Sequence, residues 1–79
     1  MIAIIPDGDQ IGVADPDLTP QQKLMAICAR EQLDCLDLHP EFAAHAGDGP
    51  LFLDIMHPNA AGQRLIAAAL ARRLQASPS

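Results

Sequence analysis

The amino-terminal half of the chain alternates short apolar runs with a helical pattern. The β-branched run at residues 2–5 predicts a short strand that is buried on both faces, as in a parallel sheet. Further along, Leu24, Ile27 and Cys28 recur at helical spacing and form one apolar face. They predict an amphipathic helix that ends near Leu33.

Turn-forming residues separate this strand from this helix. Segment 7–18 is rich in Asp, Gly and Pro and is predicted to be a loop. Asp7, Asp9 and Gly12 match three positions of a calcium-binding loop, but apolar residues occupy the fifth and twelfth positions, which need oxygen ligands. Ordinary turn chemistry is therefore the preferred explanation of this loop.

Capping residues set the start of the helix, and a second apolar run follows it. Thr19 is the predicted N-cap, Pro20 suits the first helical position, and Gln22 completes a capping box. The apolar run at 35–40 predicts a second strand. Strand, helix and strand make a βαβ unit, which favours a parallel pair with a right-handed connection.

The last helix is predicted to begin after Asn59, whose side chain can accept the amide of Ala61 or Gly62 as an N-cap. Before it, segment 41–50 is expected to be a loop with one helical turn around residues 42–45. The helix carries one apolar stripe and is followed by a polar tail at 76–79. The stripe consists of Leu65, Ile66, Ala69, Leu70 and Leu74.

Chain length, net charge and composition limit the classes of function that this chain can have. A chain of 79 residues is enough for one small domain, and its net charge of −5 argues against nucleic acid as a partner. It contains no transmembrane run and no signal-peptide pattern, so its localisation is undetermined. Cys28 and Cys35 are too few for a disulfide framework and are expected to be buried free thiols.

Asp54 and His57 are the candidate catalytic residues. They stand three positions apart, immediately before the last helix. In a hydrolytic triad the histidine takes a proton from the nucleophile with one ring nitrogen, while a carboxylate bonded to the other nitrogen fixes the tautomer and stabilises the imidazolium. A single turn between positions 54 and 57 can bring the carboxylate to Nδ1.

The sequence Asp54-Ile55-Met56-His57-Pro58-Asn59, followed by small residues, resembles the last block of the SGNH hydrolases, the GDSL esterases and lipases. The resemblance implies that residues 1–75 are the C-terminal portion of an esterase domain with a three-layer α/β/α, flavodoxin-like fold. It also implies that His57 is the general base and Asp54 its orienting carboxylate in hydrolysis through an acyl-enzyme. No cofactor is implied, and the substrate would be a small-molecule, lipid or carbohydrate ester.

This chain departs from the family pattern in two ways. Ile55 and Met56 stand where the family often has glycine or a small polar residue. The chain also lacks both the G-D-S block that carries the nucleophile and the G-x-N-D block that carries an oxyanion-hole Asn, and its only serines are Ser77 and Ser79. The expectation is therefore that the N-terminal part of a parent enzyme is missing and that these residues alone are inactive.

Two other functions remain open. His39, His45, Asp54 and His57 could supply the nitrogen and oxygen ligands of a zinc site. Alternatively, the chain could be a non-catalytic α/β interaction module, because an uncovered apolar helix face and a parallel strand edge would seek a partner. Self-association of the isolated chain is expected in that case.

Overall fold

Two short strands form a parallel ladder in the computed structural model, which describes residues 1–76. Strand β1 (Ile2–Ile4) pairs with β2 (Cys35–Asp37), with Ile2 opposite Cys35. Helix α1 (Thr19–Arg30) connects them. The predicted parallel βαβ unit is confirmed, although both strands are shorter than the apolar runs at 2–5 and 35–40.

The remaining elements follow β2. Helix α2 (His39–Ala44) begins at once, because Pro40 in its first turn cannot continue the strand ladder but suits a helix start. A 3-10 turn (Ala46–Asp48) precedes the long helix α3 (Ala60–Ala76). The single helical turn expected around 42–45 is thus a slightly earlier and longer helix.

Side chains from the two faces of the sheet pack into two separate clusters. Ile4 and Cys35 pack with Cys28 of α1. Ala3 and Leu36, which alternate with them along the strands, pack against the larger core formed by Leu38, Phe42, Leu51 and Ala69. Helices therefore cover both faces of the sheet, and the chain is a small mixed α/β domain with a two-stranded parallel sheet.

The prediction that the first strand is buried on both faces is wrong. Ile2 is 48% exposed and Ile5 is 45% exposed. No other strand lies beside β1 within residues 1–76, so its second edge has no neighbour to cover these side chains. The apolar composition of the run is that of an interior strand, whereas its position here is that of an edge strand.

The predicted cap of α1 is also wrong by one to two residues. Thr19 is the first helical residue, and Leu18 occupies the N-cap position without a side-chain cap. Oδ1 of Asp17 accepts the amide of Thr19 at 3.0 Å and supplies the capping interaction from outside the helix. The Asp17 carboxylate thus satisfies one of the amides at the start of the helix, which have no partner within the helix.

Helix α1 ends at Arg30, three residues before the predicted end at Leu33. Gln32 adopts the left-handed conformation with φ of 57°. The amide of Leu33 donates to the carbonyl of Cys28 at 2.8 Å, and the amide of Gln32 donates to that of Ala29 at 3.3 Å. This is a Schellman motif, in which a left-handed residue reverses the chain and satisfies the last helical carbonyls.

The expectation of two free thiols is wrong, because Cys28 and Cys35 form a disulfide. Their Cα atoms lie 6.2 Å apart. The Schellman turn brings the chain back so that the first residue of β2 faces the buried side of α1, and only six residues separate the two cysteines. The count of two cysteines does not reveal this bond, because it carries no information about the chain reversal between them.

Helix α3 begins after Asn59 as predicted. Of its apolar stripe, Ala69 is buried and Leu65 and Ile66 pack at the edge of the core, whereas Leu74 is exposed. Ala76 is the last residue of the helix, and the rest of the predicted polar tail lies outside the described residues. No helix within residues 1–76 is long and apolar enough to span a bilayer.

Candidate functional site

The connection between α2 and α3 closes on itself just before α3. Phe52 and Pro58 form an antiparallel bridge, and the amide of Leu53 donates to the carbonyl of His57 at 2.7 Å. The amide of Asn59 donates to the carbonyl of Leu51 at 2.9 Å. These bonds make residues 51–59 a narrow hairpin-like loop, with residues 54–56 at its tip.

Asn59 fastens this loop at both ends. Its Oδ1 accepts the amide of Gly62 at 2.9 Å, which confirms the predicted N-cap of α3. Its Nδ2 donates to the carbonyl of Pro50 at 2.8 Å, a contact that the sequence did not indicate. One side chain therefore joins the start of the loop to the first turn of the helix.

Gly62 brings the helix against the loop more closely than any other residue type could. A Cβ atom at this position would lie 2.3 Å from the carbonyl oxygen of Leu51 and 3.0 Å from Cβ of Pro58. The first contact is with backbone, which cannot move aside without shifting the loop. The absence of a side chain at Gly62 therefore sets the position of residues 51–59.

The tip of the loop brings together the two predicted site residues. Nδ1 of His57 lies 2.7 Å from Oδ1 and 2.9 Å from Oδ2 of Asp54. Oδ1 of Asp54 also accepts the backbone amides of Met56 at 2.8 Å and of His57 at 2.9 Å. The spacing of three residues thus gives the arrangement of a catalytic triad, in which the carboxylate contacts Nδ1 and the other ring nitrogen, Nε2, points away from it.

These hydrogen bonds keep the Asp54 carboxylate ionised. They hold its pKa below the usual value of 3.8, with the amide of Met56 as the largest cause and the His57 side chain as the next. Both side chains are exposed, and no residue of the described part of the chain is hydrogen-bonded to Nε2 of His57. A neutral His57 with its proton on Nδ1 therefore presents Nε2 to solvent as a free proton acceptor.

The Asp54–His57 pair lies at the carboxyl end of the sheet. The 3-10 turn that follows β1 (Gly8–Gln10) contacts the loop, and the amide of Gly8 donates to the carbonyl of Ile55 at 2.6 Å. A Cβ at position 8 would lie 3.2 Å from Cγ of Phe52. In open α/β sheets this edge is where ligands bind.

An open groove of about 300 Å³ runs between this turn and the loop. It is lined by Gly8, Asp9, Phe52, Asp54 and Ile55. Asp54 thus belongs both to the groove and to the pair with His57. The other lining residues could not be recognised as one site from the sequence, because no periodicity relates positions 8 and 9 to positions 52–55. They come together only at the edge of the folded sheet.

The four residues of the metal alternative are not brought together. Nε2 of His39 lies 3.2 Å from the carbonyl oxygen of Gln10, and Nδ1 of His45 lies 2.9 Å from Oδ2 of Asp48. His57 is engaged with Asp54 at a third location. Within residues 1–76 no group of three or more His, Cys, Asp or Glu side chains is placed to hold a metal ion.

The loop with partial calcium-loop spacing is held by a buried amide pair. Nε2 of Gln10 donates to Oε1 of Gln21 at 3.0 Å, and Nε2 of Gln21 donates back at 2.7 Å. Gln10 also donates to the carbonyl of Asp17 at 2.8 Å. Both glutamines are buried. This pairing was not predictable from the sequence, because glutamine is ordinarily a surface residue.

Comparison of the chain with known protein families, with curated proteins and with solved structures found no match. The functional conclusion therefore depends on the loop geometry and on the resemblance of its sequence to the SGNH block.

Proposed function

We propose that residues 1–75 form the C-terminal portion of an SGNH-type (GDSL) serine ester hydrolase and contribute Asp54 and His57 to its Ser-His-Asp triad. The contact of both Asp54 oxygens with Nδ1 of His57, at 2.7 and 2.9 Å, carries the proposal. It leaves Nε2 free for a nucleophile. The serine and the oxyanion donors would come from a segment outside this sequence, because the sequence contains neither a G-D-S nor a G-x-N-D block and its two serines, Ser77 and Ser79, stand in no such block.

Each group has a definite task in this reaction. The serine hydroxyl attacks the ester carbonyl while Nε2 of His57 takes its proton, and the protonated His57 then returns the proton to the leaving alkoxide. In the second half-reaction His57 takes a proton from the water that attacks the acyl-enzyme, and it then returns this proton to the serine oxygen as the acid leaves. Asp54 stays ionised throughout and stabilises the imidazolium.

The loop geometry supports this role beyond the mere proximity of an acid and a base. Because Oδ1 of Asp54 accepts the amides of Met56 and His57, the carboxylate is fixed before any substrate binds. The chain contains a second acid–base pair at the same spacing, His45 and Asp48, joined by one contact of 2.9 Å. That second pair serves as a matched control in the same molecule.

The decisive experiment joins this chain to a segment that carries the serine and the oxyanion donors that the proposal requires, and it measures kcat/KM on one ester. We expect His57→Ala to remove nearly all turnover and Asp54→Asn to lower kcat by up to about 10⁴-fold, because the wrong tautomer is then favoured. His45→Ala should leave turnover unchanged. Asn59→Ala removes the N-cap and the bond to the Pro50 carbonyl, so it should cost at least about 1 kcal/mol of stability, whereas loss of the cap alone should cost little rate per folded molecule. Near-normal activity of His57→Ala would contradict the proposal.

The isolated 79-residue chain provides a second test. We expect it neither to hydrolyse p-nitrophenyl acetate above the level of a free imidazole nor to take a covalent fluorophosphonate label. The physical reason is that turnover without a nucleophile and oxyanion donors loses most of the triad's rate advantage. Stoichiometric labelling of a residue in this chain, mapped by mass spectrometry, would contradict the assignment of the nucleophile to another segment.

A second candidate function, a non-catalytic interaction module, is favoured by one observation. Ile2 and Ile5 of the first strand region, together with Leu24, Ile27 and Leu33, leave an apolar hollow of about 380 Å³ beside the open edge of β1. An uncovered edge flanked by apolar side chains is a surface for strand addition. Here the chain would act by binding a partner rather than by hydrolysis.

The size of the isolated chain in solution tests this second candidate. If β1 is a docking edge for another copy, light scattering should report a dimer or larger assembly, and Leu24→Glu should return it to a monomer. Leu53→Glu, on the distant loop, is the matched control and should leave the size of the assembly unchanged. A monomer at all concentrations would argue against self-association.

A further inference from the structure

One backbone hydrogen bond connects the tip of the site loop, residues 54–56, to the end of strand β1. The amide of Gly8, in the 3-10 turn after β1, donates to the carbonyl of Ile55 at 2.6 Å. Within residues 1–76 no other backbone hydrogen bond joins the tip to a segment outside the loop. A Cβ atom at position 8 would lie 3.3 Å from the carbonyl oxygen of Asp54, so the turn packs directly against the tip. The position of this turn therefore sets where the tip lies relative to the sheet.

The turn that carries Gly8 is held in place by one buried side chain, that of Gln10. Its Oε1 accepts the amide of Asp7 at 2.8 Å and Nε2 of Gln21 at 2.7 Å. Its Nε2 donates to Oε1 of Gln21 at 3.0 Å and to the carbonyl of Asp17 at 2.8 Å. A carboxamide offers two acceptor sites and two donor hydrogens, and here all four are used.

The main chain of Gln10 joins the same turn to the second strand. Nε2 of His39 lies 3.2 Å from the carbonyl oxygen of Gln10 and donates its proton to it, because a carbonyl can only accept. His39 begins α2 directly after β2, and its amide donates to Oδ1 of Asp37 at 3.0 Å. Gln10 thus connects the end of β1, the first turn of α1 and the start of α2. A buried polar network in which every member is paired holds one arrangement rigidly.

A displacement of Gln10 would be passed on to the loop tip. The amide of Gln10 donates to the carbonyl of Asp7 at 3.0 Å, and the amide of Ile11 donates to that of Gly8 at 3.3 Å. These bonds close the turn, so Gln10 and Gly8 move together, and the Ile55 carbonyl follows the Gly8 amide. A general base must lie within hydrogen-bond reach of its proton, and a misplacement of about 1 Å can cost about 10²-fold in rate.

We propose that Gln10 is a positioning residue for the catalytic base. Through the hydrogen bond from Gly8 to Ile55, it sets where Nε2 of His57 lies relative to the serine that it deprotonates. The inference rests on the proposed function, because this position matters only if His57 has a nucleophile to contact. Orientation of the ring within the loop is a separate task, since both oxygens of Asp54 contact Nδ1 without any help from Gln10.

The first arm of the test uses the 79-residue chain and amide hydrogen exchange. Gln10→Met keeps the length of the side chain and makes none of its four hydrogen bonds. We expect the Gly8 amide to exchange roughly tenfold faster or more, because its contact with the loop tip is loosened. The carboxyl midpoint of Asp54 should stay below its usual value of 3.8, since its hydrogen-bond partners lie within the loop. Gln22→Met, the same replacement at an exposed position of α1, is the matched control and should leave the Gly8 amide unchanged.

A second variant separates positioning from loss of the fold. Gln10→Met leaves the amide of Gln21 buried without a partner, which is destabilising. The double replacement Gln10→Met with Gln21→Met removes both amides and keeps the packed shape, so it should fold and show the same faster exchange at Gly8. In the joined enzyme it should lower kcat per folded molecule by up to about 10²-fold while KM changes by less than about twofold. Gln22→Met should change neither constant.

The proposal is overturned if the Gly8 amide exchanges at its original rate in both variants, or if kcat per folded molecule is unchanged when that amide is loosened. Failure of both variants to fold would assign Gln10 to the stability of the domain and would also overturn the positioning role. Failure of the proposed function is seen elsewhere, as undiminished turnover of His57→Ala in the joined enzyme, and leaves the exchange rates of the 79-residue chain unaffected.

Discussion

Oδ1 of Asp54 accepts hydrogen bonds from both Nδ1 and the backbone amide of His57, at 2.7 and 2.9 Å. One oxygen thus fixes the residue's main chain and its ring together. The ring cannot rotate away from the carboxylate without giving up both oxygens of Asp54 as partners. The loop therefore needs no other segment to orient His57, whatever reaction it serves.

This arrangement predicts how the loop responds to acid. The depressed pKa of Asp54 means that its contribution to loop stability is complete above its usual value of 3.8 and is lost as the pH falls through the lower folded value. Carboxyl ¹³C shifts should give a midpoint below 3.8, and protection of the Met56 amide should fall along the same curve. In His57→Ala the midpoint should rise only part of the way, because the Met56 amide is the larger cause. A midpoint at or above 3.8 in the unmodified chain would contradict the hydrogen-bond geometry.

Substitution at Gly62 should be the most damaging small change near the site. In Gly62→Ala the new methyl group would lie 2.3 Å from the carbonyl oxygen of Leu51. We expect a loss of about 1–3 kcal/mol in the free energy of unfolding, as in other overpacked sites, together with shifted amide signals at residues 51–59. Gly47→Ala is the control, since nothing lies within 4 Å of a Cβ there. Chemical denaturation measures both, and equal effects would show that the close approach at Gly62 is not needed.

The disulfide should account for a large share of the stability of so small a domain. It closes a ring of eight residues, from Cys28 to Cys35, and the chain-entropy estimate for such a ring is about 2.5 kcal/mol. A thiol assay under denaturing conditions should find no free cysteine before reduction. Cys28→Ala with Cys35→Ala should lower the denaturation midpoint, and added reductant should have no further effect on that variant. Two titratable thiols in the untreated protein would contradict the bond.

Gln32 is a site where glycine should stabilise the fold. Its φ of 57° is unfavourable for a residue with a Cβ atom but not for glycine. Gln32→Gly should therefore raise the free energy of unfolding by up to about 1 kcal/mol. Gln22→Gly, the same replacement at an exposed position inside α1, should lower it by about 1 kcal/mol. Effects of the same sign at both positions would contradict the Schellman geometry.

Local sequence signals predicted the order of the elements well. The βαβ unit, the parallel pairing and the start of α3 after Asn59 followed from apolar spacing and capping chemistry. The Asp54–His57 contact was predictable for the same reason, because three residues and one turn contain everything that forms it. The catalytic role of the pair stays a prediction.

Features that depend on contacts between distant segments were not predictable. The groove needs residues 8 and 9 beside residues 52–55, and the Gln10–Gln21 pair needs the loop to fold back onto α1. The disulfide needs a left-handed Gln32, a conformation that the residue type disfavours. In each case contacts between distant segments decide the conformation, whereas the sequence pattern shows only the local preference of each residue.

The eight-residue ring between Cys28 and Cys35 also changes what a protease can do to this chain. Arg30 lies inside the ring, exposed and just before the turn, and is the natural tryptic target there. Cleavage after it would add one water molecule to the mass without releasing either piece, since the sulfur bridge joins helix α1 to strand β2 on both sides of the cut. The disulfide is therefore a second covalent link between α1 and β2, and the two elements stay joined when a peptide bond in the turn between them is cleaved.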